Sequence, residues 1–79
     1  MKSVIVYSDP TCPPCQDLKK WLDEQGIKYK VHDVTIDEGA YQEMLDKNGD
    51  RGAVPTIDIE GTIIVGFWPD KIKKALEMS

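Results

Sequence analysis

Cys12 and Cys15 are the only two cysteines in the chain, and they stand three positions apart in Thr11-Cys12-Pro13-Pro14-Cys15. Two thiols at that spacing can carry out thiol–disulfide exchange: one attacks as a thiolate, and the second displaces it from the mixed disulfide. Two other uses of such a pair fare worse. A structural zinc ion takes four ligands, and beyond the pair the chain offers His32 and no further cysteine, so no metal site is expected. As a staple, a Cys12–Cys15 bridge closes so short a loop that chain entropy gives it only about 2 kcal/mol, and disulfide-built secreted domains carry more, widely spaced cysteines.

The flanking segments must present these sulfurs. Val4-Ile5-Val6-Tyr7 is a β-branched apolar run, expected to be a strand covered on both faces. Ser8-Asp9-Pro10-Thr11 is a turn cluster, and a helical pattern runs from Pro13 to Gln25, with Leu18, Trp21 and Leu22 on one face and Gly26 as its cap. Prolines in a first helical turn cost no hydrogen bond, so Pro13 and Pro14 fit a helix starting just after Cys12. Cys12 then falls at or next to the N-cap, where free N–H groups and the helix dipole favour a negative sulfur. Cys15, almost one turn on, lies within bonding reach. Cys12 is therefore expected to attack and Cys15 to resolve. Asp9 and Asp17 oppose the anion, and Lys19 and Lys20 lie too far along the helix to be counted on.

Downstream, Lys28–Val34 alternates as a second strand, and a helix is expected from about Asp37 to Lys47 with Tyr41, Met44 and Leu45 inward, stopped by Asn48-Gly49. Thr56–Ile59 and Thr62–Val65 form a hairpin across Glu60-Gly61. A last helix is expected from Pro69 or Asp70 to Met78, burying Ile72, Ala75 and Leu76. The order β-α-β-α-β-β-α predicts an α/β fold in one domain, residues 1–79, with a four-stranded mixed sheet flanked by three helices. The Val54-Pro55 step could be a cis peptide or a plain proline at the start of a strand.

With 10 Lys and Arg against 14 Asp and Glu, the net charge is −4, which argues against nucleic acid and anionic lipid as partners. No apolar stretch approaches the roughly 20 residues of a membrane span, and the N-terminal residues lack the pattern of a signal peptide. A cytoplasmic location is the expectation.

Tyr7-Ser8-Asp9-Pro10-Thr11-Cys12-Pro13-Pro14-Cys15, Ala53-Val54-Pro55 and Val65-Gly66-Phe67-Trp68-Pro69-Asp70 together resemble the glutaredoxins, and among them the NrdH-type redoxins. The resemblance spans essentially the whole chain. It implies a thioredoxin fold and thiol–disulfide oxidoreductase activity, with Cys12 exposed and nucleophilic. It also implies a cis Val54–Pro55 bond facing the cysteines, whose backbone pairs with a peptide or glutathione like an added strand. Thr11 and Pro13 would border that groove, and Gly66, Phe67 and Asp70 would complete it. Phe67 and Trp68 either pack the hairpin against the last helix or offer a docking platform, and His32 is expected at the surface without a catalytic part.

Three departures bear on the electron donor. Glutaredoxins commonly carry Lys where this chain has Asp9, Thr where it has Ala53, and Cys-Asp-Asp where it has Phe67-Trp68-Pro69-Asp70. A carboxylate at a carboxylate-binding spot repels glutathione, so a reductase of the thioredoxin-reductase type is favoured over glutathione as donor. Clients would be disulfide-containing proteins, ribonucleotide reductase being the one the resemblance suggests. No tightly bound cofactor is expected, and the chain is expected to be a monomer. The rivals from another class are a soft-metal carrier, which would call for a β-α-β-β-α-β order, and an iron–sulfur cluster shared across a dimer.

Overall fold

The computed structural model describes residues 3–77. The elements run β1 (Val4–Ser8), α1 (Pro13–Glu24), β2 (Lys30–Asp33), α2 (Glu38–Asn48), β3 (Thr56–Ile59), β4 (Thr62–Val65) and α3 (Pro69–Ala75). The sheet order is β2-β1-β3-β4. β1 pairs parallel with β2, Tyr7 opposite His32, and antiparallel with β3, Val6 opposite Ile57; β3 pairs antiparallel with β4, Ile57 opposite Ile64.

β1 is central, and its alternating side chains feed two cores. Val4 and Val6 pack with Leu18 and Leu22 of α1, Ile57, Ile59 and Ile64 of the hairpin, and Ile72 of α3. Tyr7, on the other face, packs with Ala40 and Met44 of α2, with Ile5 and Val54 at the margin. Truncating any of the fully buried Leu or Ile side chains to Ala would cost about 2–5 kcal/mol. Among the described residues every buried side-chain nitrogen and oxygen has a hydrogen-bond partner, and no helix is long and apolar enough to cross a membrane.

The element boundaries follow local chemistry. Asp37 caps α2 by accepting the Ala40 N–H at 3.0 Å, and Gly49 ends it at φ 73°. Asn48 is thus the last residue of the helix rather than part of its stop. The β3–β4 turn sets both Glu60 (φ 49°) and Gly61 (φ 94°) left-handed, the type I′ pattern that matches strand twist. Two expectations are trimmed. β2 pairs only over Lys30–Asp33, the residues that lie opposite Ile5–Ser8 of β1. α3 stops at Ala75, with Leu76 as cap and Glu77 turned left-handed at φ 59°; Met78 lies outside the described residues.

Candidate active site

Cys12 is the N-cap of α1, in extended backbone geometry, with Pro13 and Pro14 in the first two helical positions. Those prolines leave Cys15 as the first residue after the cap with an N–H to give, and it donates to Cys12 Sγ at 3.3 Å. The sulfur therefore caps the helix that carries its partner. Upstream, the turn is fixed by Asp9: its carbonyl accepts the Cys12 N–H at 3.0 Å, and its carboxylate accepts the Thr11 N–H at 2.8 Å and hydroxyl at 2.7 Å. Those two bonds, the backbone one first, hold the Asp9 carboxyl below the usual carboxylate range. Gln16 Nε2 closes the turn by donating to the Pro10 carbonyl at 2.7 Å.

The two sulfurs differ in surroundings. Cys12 is half-buried, whereas Cys15 is fully buried, and both are free thiols. Burial pushes the Cys15 thiol up to about 12, with the hydrogen bond to Cys12 adding to the rise; the Asp9 backbone and the charge of Lys19 pull the other way. The Lys19 charge acts on the buried Cys15 as the smallest of these causes. Cys15 is buried because its position one turn into α1 points it inward.

Opposite the cysteines lies the turn before β3. Val54–Pro55 is cis, and the Cys12 thiol donates to the Val54 carbonyl at 3.7 Å. The Pro55 carbonyl accepts the Gly66 N–H at 2.7 Å, which brings the start of the α3 connection to the same place. Gly66 holds φ 98°, and a Cβ there would lie 2.8 Å from Trp68 Nε1. The Trp68 indole donates to the Val65 carbonyl at 3.0 Å, carries Lys71 Nζ 5.4 Å from its ring centre, and is 54% exposed. Phe67 instead packs on the core, edge-on to Trp21 at 6.2 Å. Phe67 thus takes the packing place, and the Trp68 ring stays exposed. Thr11, Pro13 and Asp70 are all exposed, the first two flanking Cys12 and the third in the first turn of α3. His32 is half-buried on the edge strand and stacks on Tyr7 at 5.4 Å. Among the described residues, no group of three His, Cys, Asp or Glu side chains could hold a metal ion.

Sequence reasoning missed the polar residues behind the site. Asn48 and Thr56 tie down the segment before Pro55. Lys47 joins Asp58 at 2.7 Å, the Tyr7 hydroxyl at 2.7 Å and Glu43 at 3.3 Å beneath the sheet. These partners sit up to 40 positions apart, as Lys47 and Tyr7 do, and no local pattern announces them.

A dithiol at a helix N-terminus, on a mixed sheet and facing a proline turn, defines a thiol–disulfide exchange protein of the thioredoxin-fold class. The comparison with known proteins narrows this. The glutaredoxin sequence profile matches residues 4–64, and the chain belongs to the glutaredoxin family, whose members are thiol–disulfide oxidoreductases. It is 39% identical over 72 residues to an uncharacterized glutaredoxin-like 8.6 kDa protein of the Clostridium pasteurianum rubredoxin operon, covering 91% of this chain and 95% of that one. The glutaredoxin-like protein NrdH of Lactococcus lactis subsp. cremoris is 34% identical over 73 residues, 90% of this chain and 96% of the relative. The crystal structure of the thioredoxin-like protein BC3987 superposes with a TM-score of 0.80 at 32% identity, covering 92% of this chain and 99% of that one.

Proposed function

We propose that this protein is a dithiol electron carrier that reduces protein disulfides, with Cys12 attacking and Cys15 resolving. The observation that carries the reading is the asymmetry of the pair: a half-buried Cys12 sulfur at the helix cap, and a fully buried Cys15 whose thiol is pushed up to about 12. The Cys12 thiolate attacks one sulfur of the client disulfide, and the other client sulfur leaves and takes up a proton. Cys15 then loses its proton and attacks Cys12 Sγ, which forms the Cys12–Cys15 disulfide and releases the second client thiol. Two electrons and two protons pass to the client. A donor dithiol restores the carrier by the reverse exchange.

Val54 and Pro55 border the groove, where the Val54 backbone pairs with the client segment as an added strand does. Thr11, Pro13, Gly66 and Asp70 line its approaches, with Phe67 supporting from behind. The donor is a reductase of the thioredoxin-reductase type. Two features support this over glutathione: the Asp9 carboxylate beside the motif, and the Trp68 indole laid against Gly66 at the start of α3. The likeness to NrdH supports ribonucleotide reductase as a client and a reducing, cytoplasmic setting. Glutathione as co-substrate is the second reading, favoured by the glutaredoxin profile itself.

The test supplies the protein with a model disulfide and NADPH, driven in parallel by thioredoxin reductase and by glutathione with glutathione reductase. Turnover with thioredoxin reductase alone is the expected result. Turnover with glutathione alone would overturn the donor assignment, and silence in both would overturn the carrier reading.

A further inference from the structure

The segment that presents Val54 to Cys12 has almost nothing apolar to hold it. Residues 49–53 are all exposed, and both Gly49 (φ 73°) and Asp50 (φ 66°) are left-handed. What fixes the segment is a polar clip built on two side chains that are themselves buried, Asn48 at 8% exposure and Thr56 at 0%. The Asn48 carboxamide accepts the Arg51 N–H at 2.9 Å and donates to the Arg51 carbonyl at 2.6 Å and to Thr56 Oγ1 at 3.1 Å. The Thr56 hydroxyl, its lone pair so engaged, donates to the Ala53 carbonyl at 2.9 Å.

The pattern of carbonyls is what matters for the site. Those of Arg51, Ala53 and Pro55 are each tied within the fold, the last by the Gly66 N–H. The Val54 carbonyl is the one left facing Cys12, at 3.7 Å from its sulfur. The Val54 N–H has no hydrogen-bond partner among the described residues. A carboxamide serving only to finish α2 would be satisfied by Arg51. Its third bond, to Thr56, carries the constraint across to the strand that follows the Val54–Pro55 step.

We propose that Asn48 and Thr56 are positioning residues for the exchange reaction: their clip aligns the Val54 backbone so that a client segment docks with its disulfide over Cys12. This deepens the carrier reading and rests on it. The clip itself touches neither the client nor a reacting sulfur and reaches Cys12 only through the 3.7 Å bond of the Val54 carbonyl, so its main effect falls on binding of an extended client.

The experiment compares wild type, Thr56→Val, Thr56→Ser and Asn48→Ala in the full chain. It measures kcat and KM for insulin disulfides with thioredoxin reductase or glutathione as donor, and separately the rate at which iodoacetamide alkylates Cys12. Thr56→Val keeps the β-branched shape of a strand residue and exchanges only the hydroxyl for a methyl. It is expected to raise KM roughly tenfold with kcat and alkylation within about twofold of wild type, since misplacement of a docking group acts on binding. Thr56→Ser is expected to restore KM, and Asn48→Ala to resemble Thr56→Val. An unaltered KM in Thr56→Val would overturn the inference, as would alkylation that departs from wild type by more than about twofold in either direction, which marks general loosening. Failure of Thr56→Ser to restore KM would overturn it too. A wild-type chain that leaves insulin intact with thioredoxin reductase and with glutathione alike would overturn the carrier reading itself, whereas wild type active with either donor and an unchanged Thr56→Val would overturn only the clip.

Discussion

The Sγ of Cys12 accepts the backbone N–H of Cys15 at 3.3 Å, so the first sulfur is held on the first turn of the helix whose interior buries the second. That bond uses an N–H that would otherwise be an orphan of the helix terminus. Replacing Cys12 by Ser is expected to lower disulfide reduction by about 1,000-fold or more, because no other thiol is exposed to attack. Cys15→Ser is expected to keep the first step and stop at the mixed disulfide. Mass spectrometry of the trapped adduct checks both.

The raised Cys15 thiol links reduction state to alkaline stability. The folded protein holds this proton up to about pH 12, against a starting value of 9.0. Above pH 9.0 the unfolded chain releases the proton and the folded chain does not, so the contribution is present below that value and is lost as pH rises toward 12. Reduced wild type should therefore lose stability faster than reduced Cys15→Ser over this window, by up to about 1.4 kcal/mol per pH unit. The extra slope should be absent from oxidised wild type, where neither sulfur carries a proton. Urea unfolding of both forms at a series of alkaline pH values measures it.

Asp9 offers a switch of donor. Its carboxylate holds the Thr11 N–H and hydroxyl and places a negative charge beside the motif. Asp9→Lys is expected to raise kcat/KM with glutathione by roughly tenfold, since a like charge beside a bound carboxylate becomes an opposite one. The gain should shrink with added salt. Steady-state rates at two ionic strengths decide it.

Lys47 and Asp58 form the half-buried ion pair beneath the sheet, at 2.7 Å. Burial alone would lower the Lys47 pKa, but its bonds to Asp58, Tyr7 and Glu43 raise it above the usual lysine range. Burial alone would raise that of Asp58, but the Lys47 bond and then the Gly61 N–H hold it below 3.8. Lys47→Met leaves the carboxylate without its cation and is expected to cost about 1–3 kcal/mol, or roughly 5–15 °C in Tm. A depressed carboxyl contributes stability that is lost as the pH falls through its folded pKa, so the gap to wild type should narrow below pH 3.8. Thermal melts across the acid range test this.

Gly66 is strained for any other residue twice over. At φ 98° an L side chain is unfavourable, and its Cβ would stand 2.8 Å from Trp68 Nε1. Gly66→Ala is expected to cost about 1–2 kcal/mol. Adding Trp68→Ala should recover part of that and leave the backbone share, a non-additivity that a double-mutant cycle of unfolding free energies resolves.

The elements and the dithiol were legible because their signals are local. A β-branched run, two first-turn prolines and the Glu60-Gly61 turn each act within a few residues, and they determined the order of elements and the place of Cys12 at a cap. The cis Val54–Pro55 step and its position facing the cysteines came from the family resemblance, since the residues alone left a plain trans proline open. Tertiary packing decided the rest. Phe67 and Trp68 are neighbours in sequence, yet one meets Trp21 in the core and the other folds back on Val65, because the chain turns left-handed at Gly66 just before them. Cys15 is buried only because α1 packs its inner face on β1 and β3. Asn48, eight positions from Thr56 and in a different element, becomes part of the site through a hydrogen bond that forms only once α2 and β3 are docked. Sequence sets what each residue can do within its own turn of chain, and burial and long-range hydrogen bonds, which need the assembled fold, decide which of them act together.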